Sequence, residues 1–98
     1  MAQRKVSILD KAAEEVAYVA YFIESKGYRN TARKFVHDSF DFFSRLGDDR
    51  IKHRPCTFAK WKDEGYRCAT FRKKYIVAYL DAEDEVVICD FALQKLLV

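Results

Sequence analysis

Tyr75-Ile76-Val77-Ala78-Tyr79-Leu80 and, after a short acidic break, Val86-Val87-Ile88-Cys89-Asp90-Phe91-Ala92-Leu93 decide the fold of this 98-residue chain. Both runs have strand length, are rich in β-branched and aromatic residues, and contain neither Gly nor Pro. The second is nearly unbroken in its apolar character, which suits a strand buried on both faces. Asp81 to Glu85, between them, is a turn by composition. Immediately upstream, Tyr66 to Phe71 reads as a further strand and Phe58 to Lys62 as a ragged one, so the C-terminal half is a meander of strands with period two.

The N-terminal half has a different period. Arg4 to Leu9 alternates well enough for a short strand, with Val6 and Ile8 set against Ser7. Asp10 can then cap a helix whose early turns carry Glu14 and Glu15, where the macrodipole favours acids. From Ala12 to Phe22 that helix is apolar on more than one face, so something else must cover it. Gly27 ends it. Asn30 is the next candidate N-cap, after which Ala32, Phe35, Val36, Ser39, Phe40, Phe43 and Leu46 recur at helical spacing. Gly47 stands where a glycine C-cap belongs. Two helices joined by about four residues form an antiparallel hairpin. The element order is β-α-α-β-β-β, an α+β domain spanning residues 1–98 with a helical hairpin packed on a mostly antiparallel sheet.

A chain this small buries only about 60–65% of its unfolded surface. With 50% hydrophobic residues it nevertheless has a core to build. Its three cysteines, Cys56, Cys68 and Cys89, are odd in number and form no C-x-x-C pair. They read as small core or sheet residues in a reducing cytosol rather than as a disulfide framework or a zinc site. No apolar run reaches membrane-span length and the N-terminus lacks a signal-like apolar stretch, so the chain reads as cytoplasmic and without a membrane partner.

The net charge of +3 hides an uneven distribution. Residues 50–75 hold nine lysines and arginines (Arg50, Lys52, Arg54, Lys60, Lys62, Arg67, Arg72, Lys73, Lys74) against Asp63 and Glu64, a local charge of +7. Phe58, Trp61, Tyr66, Phe71 and Tyr75 are interleaved with them. Such a block suits a polyanion or an acidic protein, since clustered cations attract phosphate or carboxylate and exposed rings can stack on bases. It equally suits a well-solvated strand edge. Candidate binding residues are Trp61, Arg67, Arg72, Lys73, Lys74 and Lys95. Arg67 and Arg72 lie an odd number of positions apart, so a regular strand would place them on opposite faces. If Lys73 and Lys74 turn the chain, Arg72 belongs to the turn instead. No metal or cofactor constellation stands out, and His37 and His53 read as surface residues without ligand-type neighbours.

The order of these segments resembles the RelE/ParE toxins of bacterial toxin–antitoxin pairs. The resemblance rests on Ala32 to Phe35 as A-x-x-F opening the second helix, then Gly65-Tyr66-Arg67, a basic turn, Tyr75-Ile76-Val77-Ala78-Tyr79, and Val86-Val87-Ile88. It covers nearly the whole chain. It implies a two-helix hairpin on a curved antiparallel sheet and a growth-arresting toxin, of a kind associated with plasmid stabilisation, that is neutralised by a cognate antitoxin. RelE-type members cut messenger RNA in the ribosome with basic residues, and in some a tyrosine, on the sheet and near the C-terminus. In that reading Arg67, Lys73, Lys74, Tyr75 and Lys95 are the catalytic candidates. The second arginine usual in the family's Y-R-x-x-Y stretch is, however, Ile76 here. The cations expected after the last strand reduce to Lys95 in Ala92-Leu93-Gln94-Lys95. In-line attack by a ribose 2′-hydroxyl needs a proton acceptor, a donor and positive charge near the phosphate. The resemblance therefore leans toward the ParE type, which blocks DNA gyrase. The alternatives are a ribosome-dependent mRNA endonuclease and a non-toxic basic interaction domain. A homodimer and a toxin–antitoxin hetero-oligomer are both compatible with it.

Overall fold

A computed structural model describes residues 3–48, 50 and 52–97. Its elements are β1 (Lys5–Ile8), α1 (Asp10–Ser25), α2 (Arg29–Arg45), β2 (Arg67–Phe71), β3 (Tyr75–Asp81) and β4 (Glu85–Leu93). Short 3-10 turns lie at Lys62–Glu64 and Gln94–Leu96. The four strands form one sheet in the order β1-β4-β3-β2. β4 pairs antiparallel with β3 and parallel with β1, and β3 pairs antiparallel with β2. The expected α+β order is present, on a sheet that is mostly antiparallel.

Both faces of the sheet are covered, and β3 shows how. Tyr75, Val77 and Tyr79 point into a core shared with the helices, where they meet Val16, Phe35 and Phe43. Ile76 and Ala78 point the other way, into a second cluster with Cys56 and Trp61. The strand reads as continuously apolar because it feeds two cores. β4 reaches the same end by a different device. Ala78 pairs with Asp90 but Tyr79 pairs with Ile88, so Cys89 is an extra residue in the ladder. This bulge shifts the alternation by one, and so Val86 and Ile88 before it and Phe91 and Leu93 after it all face the helical core. In that core the rings of Tyr75 and Phe91 stack with centroids 5.2 Å apart, and Phe35 lies 5.3 Å from Tyr75.

The helix ends differ from the expected caps. α1 starts at Asp10 itself, with Leu9 in extended conformation at the N-cap and no side-chain cap. Asn30 is already inside α2, whose N-cap is Tyr28. In both cases the chain enters the helix from a packed or tightly turned segment, so backbone geometry rather than a polar side chain sets the start. Gly27 ends α1 with φ +94°, the left-handed conformation that glycine adopts without a Cβ clash. Gly47 serves another purpose. Its φ is unexceptional, but a Cβ there would come within 2.3 Å of Gln3 Nε2 and 2.8 Å of the Arg4 carbonyl. The Arg4 N–H donates to the Gly47 carbonyl at 2.9 Å, so the start of the chain passes against the end of α2.

Two further expectations are corrected. Phe58–Lys62 is not a strand. The chain turns there, with the amides of Trp61 and Lys62 both donating to the Phe58 carbonyl at 2.9 Å. The turn drives the Trp61 ring into the outer core, where 2% of the residue is exposed. The cysteines are not all free either. Cys56 and Cys68 form a disulfide, and Cys89 remains as a buried thiol. The Cys56 N–H donates to the Tyr66 carbonyl at 2.9 Å and the Cys68 N–H to the Arg54 carbonyl at 3.0 Å. This short antiparallel ladder beside β2 brings the two α carbons to 5.0 Å. Segment 54–56 has irregular composition, which hides a pairing that only the tertiary fold creates.

Candidate functional site

The basic residues of the block fall at two ends of β2, not at one point. Arg67 opens the strand opposite Tyr79, while Phe71 closes it opposite Tyr75. The five residue steps from Arg67 to Arg72 span roughly 16 Å of extended chain.

At the Arg67 end the guanidinium is held from both sides. Its Nη1 donates to the His53 carbonyl at 2.7 Å, and its Nε lies 3.7 Å from Asp81 Oδ2. Asp81 also accepts from Arg4 Nη1, which donates in addition to the Ala82 carbonyl at 2.8 Å. The acid that pairs with Arg67 is therefore Asp81. His53 Nδ1 and the Tyr79 hydroxyl share a hydrogen bond of 2.8 Å. Burial lowers the His53 pKa, with the nearby Asp81 charge opposing the shift. Burial chiefly, with Asp81 assisting, pushes the Tyr79 phenol up to about 12. Both groups are therefore neutral near pH 7. Sequence reading placed His53 on the surface, but the ladder that aligns Arg54 and Cys56 with β2 also lays His53 against Tyr79. Among these partners, the network of Arg4, His53, Tyr79 and Asp81 left no signal in spacing or composition.

At the opposite end the chain reverses through Arg72 and Lys73, with φ of 55° and 62° and the Lys74 N–H donating to the Phe71 carbonyl at 3.2 Å. Two successive left-handed residues match the twist of a hairpin, but Asn and Gly usually fill them. Arg72 is pinned there. Its guanidinium pairs with Asp38 and lies over the rings of Phe35 and Phe71, with centroids 5.5 and 5.3 Å away. Asp38 is lowered in pKa by its hydrogen bond with Lys34 and then by Arg72, burial opposing. Lys73 and Lys74 are exposed and make no ion pair with the described residues. Lys95 stands in the 3-10 turn that follows β4, where the Gln94 N–H donates to the Lys74 carbonyl at 2.7 Å. The turn and the C-terminal segment thus bring Lys73, Lys74 and Lys95 to one end of the sheet, with Arg72 as its anchor.

The rings interleaved with the cations are not free to stack on bases. Trp61, Phe71 and Tyr75 are buried, and Phe58 and Tyr66 pack against the outer core. Trp61 Nε1 donates to Asp90 Oδ2 at 3.1 Å, Lys60 Nζ lies 3.6 Å from the same oxygen and Lys11 Nζ lies 3.9 Å from Oδ1, so the buried carboxylate is paired from the loop and from α1. Burial raises the Tyr75 phenol, against the opposing charge of Arg72. The burial of these aromatics leaves the block as a charged surface only.

One comparison with solved structures bears on the fold. A chain of the "Chromosomal ParDE TA system from P. aeruginosa" superposes with a TM-score of 0.75 at 16% sequence identity, covering 93% of this chain and 96% of that one. The chain has a RelE/ParE-like fold. No protein-family model matches the sequence and no curated protein matches it, so the likeness is one of fold. Within this fold, Arg67 opens the first strand after the helices. Ile76 is an outer-core residue. Among the described residues, no helix is long and apolar enough to cross a membrane.

Proposed function

We propose that this chain is the toxin of a type II toxin–antitoxin pair, that it arrests growth as ParE-type toxins do by binding and inhibiting DNA gyrase in the cytoplasm, and that a cognate antitoxin neutralises it. The observation that carries the proposal is the end-to-end likeness of fold to a chain of a ParDE system. The separation of the cations supports the gyrase reading over mRNA cleavage. Arg67 is tied to Asp81 and the His53 carbonyl, roughly 16 Å along the strand from Arg72, where the turn begins. Tyr75, the candidate tyrosine, is buried in the helical core. A phosphodiester cleavage needs its acid, base and cation around one phosphate. A binding protein needs only a surface, and Lys73, Lys74 and Lys95 offer one of a single sign. In this reading Arg67 and Arg72 position the two ends of β2, and the three lysines meet the acidic groups of the target.

The test is induced expression without the antitoxin, with DNA and protein synthesis followed separately. Failure of replication and supercoiling before translation is the expected result. Prompt loss of translation with messenger cut at codon boundaries would overturn the gyrase assignment in favour of the nuclease. Normal growth with soluble, folded protein would overturn both.

A further inference from the structure

The outward face of α1 carries an aromatic stripe that the fold leaves uncovered. Val16 faces the core, with Val19, Ala20 and Ile23 packed against it. On the opposite side Tyr18, Tyr21 and Phe22 are 73%, 71% and 60% exposed. Residues at i, i+3 and i+4 are neighbours on a helix, so these rings form one continuous patch. A solvent-facing helix side is normally polar, and a patch of this kind marks an interface. At roughly 200 Å² per ring, the exposed fractions amount to about 400 Å², near half of the roughly 800 Å² that each partner contributes to a stable interface.

The charges flanking the stripe say what covers it. Glu14 lies one turn before Tyr18, and Lys26 follows the helix, its Nζ 5.1 Å from the Phe22 ring centroid. Among the described residues neither makes a salt bridge within 4 Å, although Glu14 lies in the field of Lys11. Two such helices packed antiparallel about a two-fold axis near position 20 bring Tyr18 of one copy onto Phe22 of the other. The same register brings Glu14 of one copy beside Lys26 of the other, twice. A parallel pairing would instead set Glu14 against Glu14 and Lys26 against Lys26. The stripe therefore matches itself in the order of its rings and of these two charges in one orientation, as a two-fold interface requires.

We propose that α1 is a self-association surface through which two copies of this chain pair antiparallel, with Tyr18, Tyr21 and Phe22 at the centre and Glu14–Lys26 contacts at both rims. The inference is independent of which target the chain inhibits. Its test is sedimentation of the purified chain over a concentration series, with variants on the exposed face. The wild type is expected to be a dimer. Tyr18→Ser combined with Phe22→Ser should give a monomer with unchanged circular dichroism, since neither ring is in the core. Glu14→Lys or Lys26→Glu alone should each weaken pairing by roughly three- to tenfold, as two symmetric contacts are lost at once. The combined Glu14→Lys and Lys26→Glu exchange should restore it. A wild-type chain that stays monomeric at several hundred micromolar would overturn the proposal, as would single charge variants that pair like the wild type. Protection of the stripe only when an antitoxin is added would also overturn it, by assigning the surface to that partner.

Discussion

Breaking the Cys56–Cys68 bond isolates the contribution of the segment that covers the outer face of the sheet. The bond joins residues 12 apart in sequence and closes a loop that contains Phe58 and Trp61. For a closed loop of this size the loss of chain entropy in the unfolded state is worth about 3 kcal/mol at 25 °C. Unfolding entropies near 2.1 cal/mol/K per residue make that a fall in Tm of about 15 °C for a domain of this length. The perturbation is a dithiol reductant, which takes two electrons to the protein sulfurs and itself becomes a disulfide. Cys56→Ser with Cys68→Ser is the permanent equivalent. Thermal melts by circular dichroism, with reduction verified by a mass gain of two hydrogens, supply the measurement. The chain has one tryptophan, and it lies in this layer with its Nε1–H on Asp90, so its fluorescence reports the outer face separately from the helices. A red shift at temperatures where the helical signal persists is the expected sign that this layer loosens first. An unchanged Tm after verified reduction would show that the ladder of residues 54–56 on β2 holds the layer without the bond, and would refute the entropy argument.

Gly47→Ala should destabilise by about 1–3 kcal/mol in urea titrations, because the new methyl meets the Arg4 carbonyl and Val6 at 2.8 Å in a packed corner. Lys73→Gly should do the opposite and stabilise by roughly 1 kcal/mol, since φ 62° is strained for a lysine, and on the proposed function it should weaken growth arrest by removing one of the three lysines. Equal loss of stability would remove the strain account. Arg67→Ala should lower stability by about 1 kcal/mol, discounted for the 38% exposure of its side chain, with toxicity following the folded fraction in growth assays run beside the melts. His53 binds its proton less readily when folded than when unfolded, so its contribution is fully present above the unfolded pKa near 6.5 and is lost as pH falls through the lower folded value. Urea midpoints should therefore decline on acidification below about pH 6.5 more steeply for the wild type than for His53→Gln.

The strands and the helical hairpin were legible because their signals are local. Tyr75–Leu80 and Val86–Leu93 have β-branched and aromatic residues in runs of strand length, and α2 has a stripe from Ala32 to Leu46 that no other structure satisfies. Where the reading departed from the structure, long-range geometry had set the outcome. Phe58–Lys62 carries strand-like residues, but Trp61 gains more by burying its ring in the outer core with its N–H on Asp90 than by alternating along an edge. Cys56 and Cys68 meet only because segment 54–56 pairs beside β2. The candidate cations are close in sequence and read there as one basic block. A strand puts its ends far apart, so Arg67 joined Asp81 and Arg4 while Lys73 and Lys74 joined Lys95. The bulge at Cys89 is invisible in composition, yet it is what lets Ile88 and Phe91 share one core.

The pairing of β1 with β4 sets a clock on the chain as it is made. Lys5 finds its ladder partner in Glu85, and Ile8 finds its partner in Ile88. The first strand and both helices therefore leave the ribosome before the central strand that will carry them exists. Until Glu85–Leu93 has been synthesised, the apolar sides of α1 and α2 have no completed sheet to rest on, and contacts so distant in sequence form slowly. A nascent chain, or one cut short before β4, presents greasy helices to chaperones and proteases but not the finished basic end of the sheet. The end of the sheet that gathers Lys73, Lys74 and Lys95 is complete only once the last strand has closed.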